Sequence, residues 1–365
     1  CALVSCMKQA SVTATPFGRL STGEEVTLWH LENASGASMD VTDFGCRIVR
    51  ICMPDRDGVI DDVVVGYGDL EMFEKGDRFF GPVIGRFGNR INHASFTLDG
   101  TKYDIVANEN LAGEPVQCHG GFKGFDQFVW KGEVVREKGR QGVRFYRLSP
   151  DGEEGFPGNM EAYVTYWLSD DNVVTLEYEA TTDKPTVVNL SNHTYFNMSG
   201  SEPSYVMEHI MQVEADTCVQ NNLQYCPDIL LPVEDTPFDF REPHAIGERV
   251  NEEHEQLKMG AGYDHNWAID REDNGEVIKV ADVYSPKSGR GMEVLTDQIG
   301  LQFYCGNFFD GSYNNKFGKP IAYRGAIALE TQRYPDAPNQ PSFPSVVLEP
   351  GDTYTHTCVY KFYTK

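Results

Sequence analysis

Apolar and polar residues alternate along much of this chain. In NVVTLEYEA (172–180), Val174, Leu176, Tyr178 and Ala180 fall on one side, and Thr175, Glu177 and Glu179 on the other. A period of two is that of a strand with one buried and one wetted face. EVIKVADVY, GMEVLTDQIGLQFY, GAIALETQ and YTHTCVYKFY read as further strands. FTLDGTKY (96–103) predicts a hairpin, because Asp99-Gly100 stands between two short β-prone runs. Helical periodicity is confined to DLEMFEKG (69–76) and NEEHEQLKMG (251–260). Many short strands, few short helices, no repeat and no long linker predict an all-β chain built as one large antiparallel β-sandwich. Residues 7 to about 20 are rich in Ser, Thr and Ala and read as a flexible leader, which places the single domain at 21–365.

One run breaks the alternation. NLSNHTYFN (189–197) packs amides, hydroxyls and an imidazole beside Tyr195 and Phe196. A buried strand does not need so many hydrogen-bonding groups, and a loose loop does not usually carry that aromatic pair. Asn189 and Asn192 suit a role in fixing loop geometry. His193, between Asn192 and Thr194, calls for another explanation.

Charge narrows the partners. The chain carries 31 Lys and Arg against 55 Asp and Glu, a net of −24. Such a surface repels phosphate backbones, so nucleic acid is excluded as a partner, and polyanionic substrates are disfavoured. Nine cysteines are scattered with no CxxC and no zinc-ligand spacing, which reads as mostly free, buried thiols. Near the N-terminus, LVSC followed by MKQASV resembles a bacterial lipoprotein cleavage site, although no basic region precedes it. Cys6 would then be the lipidated residue, giving a membrane tether and a periplasmic or outer-membrane location; the alternative is a cytoplasmic chain. The expected assembly is a monomer or a weak dimer.

Five polar segments stand far apart in sequence: VIGRFGNRIN (83–92), QCHGGFKGFD (117–126), NLSNHTYFN, GYDHNWAID (262–270) and IALETQRYPDAPNQPSFP (327–344). Singly, most have plain readings. His119-Gly-Gly could be a turn with a hydrogen-bonded imidazole, Arg90 half of an ion pair, and Asp264 a turn cap. Glu330 is harder to dismiss, because a carboxylate in an apolar strand must be solvated, paired or used. Jointly these groups suit a polar pocket with aromatic walls, the kind that holds a neutral sugar.

GRFGNRI, HGG…GFD…W, NLSNHTYFN, GYDHN, GLQFYCGNF and LETQ…PDAPNQPSFP occur in this order. Together they resemble the signature segments of the aldose 1-epimerases (galactose mutarotases), over roughly residues 15 to 365. The resemblance implies the β-sandwich called a supersandwich, an isomerase of free aldohexoses, and no cofactor or metal. It implies His193 as general acid and Glu330 as general base. His119 matches a second histidine near the ring oxygen, and Asn89, Arg90, Asp264 and Gln302 match sugar-binding positions. Tyr195 follows the acid in the binding segment. The stretch ANENLAGEPVQC, before His119, departs from the pattern and is a candidate for reshaping one rim of the cleft.

These roles imply that His193 protonates the ring oxygen while Glu330 takes the C1 hydroxyl proton. They also imply a protonated His193, helped by a neighbouring carboxylate such as Asp264 or Glu330. Three rivals stand beside this. One is a non-catalytic carbohydrate-binding sandwich. Another is a glycoside hydrolase using Asp264 and Glu330. The third, a hexose-6-phosphate epimerase, is disfavoured by the acidic balance. The preferred sugar is open among galactose, glucose, xylose and arabinose.

Overall fold

Val174, Leu176, Tyr178 and Ala180 all face inward from strand Val173–Thr182, as their alternation requires. The structure is a computed structural model and describes residues 10–76, 79–137, 139–202 and 205–365. Strand Val173–Thr182 lies in a nine-stranded sheet, paired on one side with Met160–Ser169 and on the other with the long strand Tyr354–Thr364. A seven-stranded sheet carries Thr217–Asn221, Asp264–Ala268, Gly300–Tyr304, Ile327–Gln332 and Tyr195–Phe196 in consecutive positions. A five-stranded meander runs from Ser11 to Asp62 in chain order. Every strand pair among the described residues is antiparallel; only the isolated bridge Phe87–Asn189 is parallel. The β-sandwich expected from the alternation is therefore present.

The main core fills the space between these sheets. Leu301, Phe303 and Leu329 point into it from the seven-stranded sheet, and Tyr178, Val294 and Tyr360 from the nine-stranded one. The rings of Phe196 and Tyr360 pack edge to face at 5.1 Å across the interface. Many buried polar groups in the core find partners, although the Tyr178 hydroxyl has none in the protein. The Tyr166 hydroxyl, for example, donates to the Cys46 carbonyl at 2.7 Å.

Local expectations hold at several places. Ser95–Leu98 pairs with Thr101–Asp104, and Asp99 (φ 50°) and Gly100 (φ 76°) make the left-handed turn between them. The helix expected at 69–76 is Leu70–Lys75, capped by the Asp69 carboxylate, which accepts from the Met72 N–H at 2.9 Å. The helix expected at 251–260 shortens to Glu255–Met259, and a further one-turn helix, Ile246–Arg249, precedes it. The seven described cysteines are all free, and all but Cys52 are buried.

The flexible leader expected over residues 7 to about 20 is corrected over its described part. Ser11–Arg19 is a strand, paired with Glu25–Glu32 from Ser11↔Glu32 to Arg19↔Glu25. Its Val12, Thr13 and Thr15 suit a pleated chain, but the strand exists because a partner lies across a tight turn. The domain therefore begins nearer residue 11 than 21. Cys6 and the proposed lipidation site lie outside the described residues. No helix among the described residues is long and apolar enough to cross a membrane.

Candidate active site

The polar face of the seven-stranded sheet forms the floor of the site. Gln302 lies directly opposite Glu330, and Asp264 directly opposite Tyr304. Tyr195 lies opposite Ala328 on the next strand. Residues paired across antiparallel strands share a face, as do positions two apart. Asp264, Gln302, Tyr304, Glu330 and Tyr195 therefore project to one side, while Leu301, Phe303 and Leu329 project into the core. This explains the carboxylate in IALETQ: the strand is buried on both faces, and Glu330 belongs to the face opposite the apolar core. Gln302 Nε2 donates to Asp264 Oδ1 at 2.8 Å.

Loops supply the walls. His193 sits between Ser191–Asn192, paired with Val83–Ile84, and Tyr195–Phe196. Its N–H donates to the Pro82 carbonyl at 2.9 Å, and its carbonyl accepts from the Gly81 N–H at 3.0 Å. Asn189 and Asn192, two of the three asparagines of NLSNHTYFN, are scaffold. Asn189 donates to the Gly88 carbonyl at 3.1 Å and accepts from the Arg333 N–H at 2.8 Å. Asn192 donates to the Gly81 carbonyl and accepts from the Thr194 N–H. The run is polar because each amide crosslinks two loops.

Asn89 and His119 hold one another. The Asn89 N–H donates to His119 Nδ1, and the His119 N–H donates to the Asn89 carbonyl, both at 3.0 Å. Accepting at Nδ1 places the proton of a neutral His119 on Nε2. Gly120 follows at φ 85°, and a Cβ there would strike the Gly85 carbonyl. The His-Gly-Gly sequence is thus a close passage of two backbones that only glycine permits.

All eight residues expected at the site line one cavity of about 240 Å³: Asn89, Arg90, His119, His193, Tyr195, Asp264, Gln302 and Glu330. Phe79, Glu109, Cys118, Tyr304, Phe308 and Phe309 complete it. His193 Nε2 lies 3.5 Å from Glu330 Oε1. The His119 ring meets the His193 ring edge-on at 5.3 Å, and Phe79 stacks against His193 at 5.9 Å. His193 Nδ1, Glu330 Oε2 and Gln302 Oε1 are buried and have no hydrogen-bond partner in the protein. Such groups suit a ligand rich in hydroxyls.

Burial sets the protonation. It pushes His193 down to about 4 and Glu330 well above the usual carboxylate range. Asp264 is also raised, chiefly by burial. This corrects the expectation of a raised His193: removal from water is the largest cause, and the nearby Arg90 charge lowers it further. A neutral His193 beside a protonated Glu330 carries the same single proton as an imidazolium beside a carboxylate. The two forms differ only in where that proton sits.

His119, His193 and Glu330 also bring one potential ligand atom each within 4.8 Å of one another, a donor set a transition metal could accept.

The sequence profile of the aldose 1-epimerase family matches residues 27–361. The chain belongs to the aldose 1-epimerase family. It is 38% identical to rat galactose mutarotase over 353 residues, 96% of this chain and 98% of that one. Aldose 1-epimerase from Escherichia coli K12 is 35% identical over 343 residues, 93% of this chain and 96% of the relative. Among solved structures, an aldose epimerase homologue from C. elegans superposes with a TM-score of 0.81 at 30% identity, covering 92% of this chain and 98% of that chain. The galactose 1-epimerase of Lactobacillus acidophilus shares the fold, with a TM-score of 0.84 at 24% identity over 98% of this chain and 99% of its own. Like its family, the chain is an isomerase-class epimerase acting on carbohydrates.

Of the groups missed in the sequence, Tyr304, Phe308 and Phe309 lie in or just after GLQFYCGNF, one of the segments that carry the family resemblance. Glu109 lies in ANENLAGEPVQC, where only a rim effect was expected. Phe79 and Cys118 carried no signal of their own.

Proposed function

We propose that this protein interconverts the α and β anomers of free aldohexoses, with galactose and glucose as the first candidates, and that His193 and Glu330 move the protons. The observation that carries this is the buried pair itself, an imidazole and a carboxylate 3.5 Å apart on the floor of a polar cavity. The ring oxygen and the C1 hydroxyl are both bonded to C1, so an acid and a base this close can reach one each.

Ring opening breaks the bond between C1 and the ring oxygen, and the departing oxygen needs a proton. The His193 imidazolium supplies it from Nε2 as the Glu330 carboxylate takes the C1 hydroxyl proton. The products are an open-chain aldehyde, a neutral His193 and a protonated Glu330. That is the arrangement burial favours. Sugar hydroxyls bonded to Glu330 Oε2 and His193 Nδ1 offset the cost of the ionised arrangement that starts the reaction. Rotation about C1–C2 presents the other aldehyde face. On closure the C5 hydroxyl attacks C1 and returns its proton to His193, while Glu330 protonates the aldehyde oxygen. Both residues end as they began. Arg90, His119, Asp264 and Gln302 bind hydroxyls, Asn89 fixes the His119 ring, and Tyr195 walls the sugar.

The hydrolase alternative would set two carboxylates across a glycosidic bond. Here Asp264 accepts from Gln302, and an imidazole is the group beside Glu330. Polarimetry on pure α-galactose and α-glucose tests the proposal. His193→Ala and Glu330→Gln should each lower kcat by about 10²- to 10⁴-fold with the fold retained. A folded variant of either kind within about twofold of the parent rate would overturn the assignment, since proton transfer is worth far more than that.

A further inference from the structure

The segment ANENLAGEPVQC forms a hairpin of Glu109–Leu111 and Glu114–Cys118, and its second strand pairs with Arg90–Asn92. Cys118 is the direct cross-strand partner of Arg90, and Val116 that of Glu109. Asn108 braces the hairpin base: its side chain donates to the Cys118 carbonyl at 3.0 Å and accepts from the Cys118 N–H at 2.7 Å. Glu109 is therefore presented from a fixed backbone.

Its carboxylate meets Arg90 side-on. Arg90 Nε donates to Glu109 Oε2 at 2.8 Å, and Arg90 Nη2 approaches Glu109 Oε1 at 3.4 Å. The guanidinium also lies over the Tyr225 ring at 4.9 Å. Both side chains are largely shielded, with 18% and 29% of their surfaces exposed, and both line the cavity. Among the described residues lining the cavity, Arg90 is the only permanent cation. A planar fork of N–H donors in a shielded site is what binds a carboxylate best.

We infer that Glu109 restricts this site to uncharged aldoses: its carboxylate occupies the Arg90 fork that the carboxylate of a hexuronic acid would otherwise take, and opposes that group with like charge. This rests on the aldose site proposed above and adds its charge selectivity. Asp264 and Glu330 face the same cavity, but Asp264 is engaged by Gln302 and Glu330 lies beside His193, whereas Glu109 is the carboxylate hydrogen-bonded to the Arg90 guanidinium. Replacing Glu109 by an uncharged residue leaves a shielded guanidinium short of an acceptor, a state that recruits the next available anion.

The test compares galactose, galacturonate and galacturonamide, the uncharged counterpart of the acid, by calorimetric binding to the parent protein, Glu109→Gln and Glu109→Asp at fixed ionic strength. The parent should bind the amide far better than the acid. Glu109→Gln should raise the affinity ratio of galacturonate to galactose by on the order of tenfold or more. Glu109→Asp should keep the exclusion. A ratio in Glu109→Gln within about twofold of the parent's, or equal loss of both ligands, would show that Glu109 merely props Arg90, because a removed charge at this range is worth more than twofold. Should Glu109→Gln fail to fold, the parent decides alone: equal binding of acid and amide overturns the inference. Binding is read without turnover. A parent that binds galactose yet leaves its anomers unexchanged would count against the mutarotase reading and not against this one.

Discussion

His193 and Glu330 hold one proton between them, and this fixes how the rate should depend on pH. With His193 held down to about 4, a second proton joins the pair only below that value. With Glu330 raised by burial, the single proton is kept well past neutrality. The active one-proton state therefore spans a broad plateau: kcat/KM should fall on the acid side as pH drops through about 4, and on the alkaline side only well past neutrality. Solvent-like groups would instead give a narrow bell, bounded by a carboxylate near 4.3 and an imidazole near 6.5 (reference values, so approximate). A pH profile with an alkaline limb near the ordinary histidine value would show that the pair does not share its proton. That His193 and Glu330 each needed a use was legible in the residues, a histidine among amides and a carboxylate in an apolar strand; that they form a pair was implied only by the family resemblance. Their protonation was not legible, since it follows from burial by parts of the chain far away in sequence. Glu109 was hidden for a related reason: its partner Arg90 lies two strands away in space, and an ordinary Glu in a hairpin carries no mark of what it will face.

A strand with two faces can serve the core and the site at once, and Ile327–Gln332 does so. Leu329 is fully buried in the main core on the side opposite Glu330. Leu329→Ala should cost about 2–5 kcal/mol of stability by thermal or denaturant unfolding, the usual range for an apolar truncation in a packed core. Surviving folded molecules should keep their anomerisation rate, because the lost side chain faces away from the sugar. A loss of rate without a loss of stability would contradict this division of faces. Gly120→Ala should do more damage per atom added. The new methyl meets the Gly85 carbonyl at a left-handed φ, so the loop carrying His119 must move, and KM should rise along with the loss of stability. At this scale the period of two located the long strands Val173–Thr182, Ile278–Tyr284, Arg290–Thr296, Gly300–Tyr304, Ile327–Gln332 and Tyr354–Thr364 but left most of the short ones unmarked, while the Asp99-Gly100 turn gave its hairpin and helical periodicity gave Leu70–Lys75. Alternation missed Ser11–Arg19, because Ser, Thr and Ala in SVTATPFG are equally at home in a disordered leader. What makes that segment a strand is pairing with Glu25–Glu32, and the contacts of Phe17 with Phe73 beyond it. Alternation also could not say which sheet each strand joins, and the floor of the site depends on four strands from separate segments lying side by side.

The sheets are tied together by His356, directly behind the catalytic floor. It lies on Tyr354–Thr364 of the nine-stranded sheet, and its Nε2 accepts from the Thr331 hydroxyl at 2.9 Å on the strand that carries Glu330. Its Nδ1–H donates to the Leu190 carbonyl at 3.1 Å in the segment that carries His193, and its ring stacks on Tyr178 at 4.6 Å. One neutral imidazole thus joins both sheets and the acid-bearing loop. Burial holds it down to about 4, and a second proton on Nε2 would force the Thr331 hydroxyl to turn from donor to acceptor. The unfolded chain titrates this histidine near its ordinary value. Above about 6.5 both states are neutral there and the group adds no pH dependence. Below that, the unfolded state binds a proton that the folded state refuses, so stability falls as pH falls, by about 1.4 kcal/mol per unit for this one group. Other groups bend the total curve: Asp43, raised by burial to about 6, works in the opposite sense, and the net charge of −24 relaxes as carboxylates protonate. Those contributions are common to the parent and a His356→Gln variant, so they cancel in the difference between them. At pH 7.5 the variant should be the less stable, because Leu190 and Thr331 lose a well-placed partner. The gap should then narrow by about 2–3 kcal/mol between pH 6.5 and 4.5, as the parent bears a protonation cost that the variant escapes. Urea unfolding of both proteins across that range measures it, and a gap that stays constant would show that the imidazole is not held neutral where the two sheets meet.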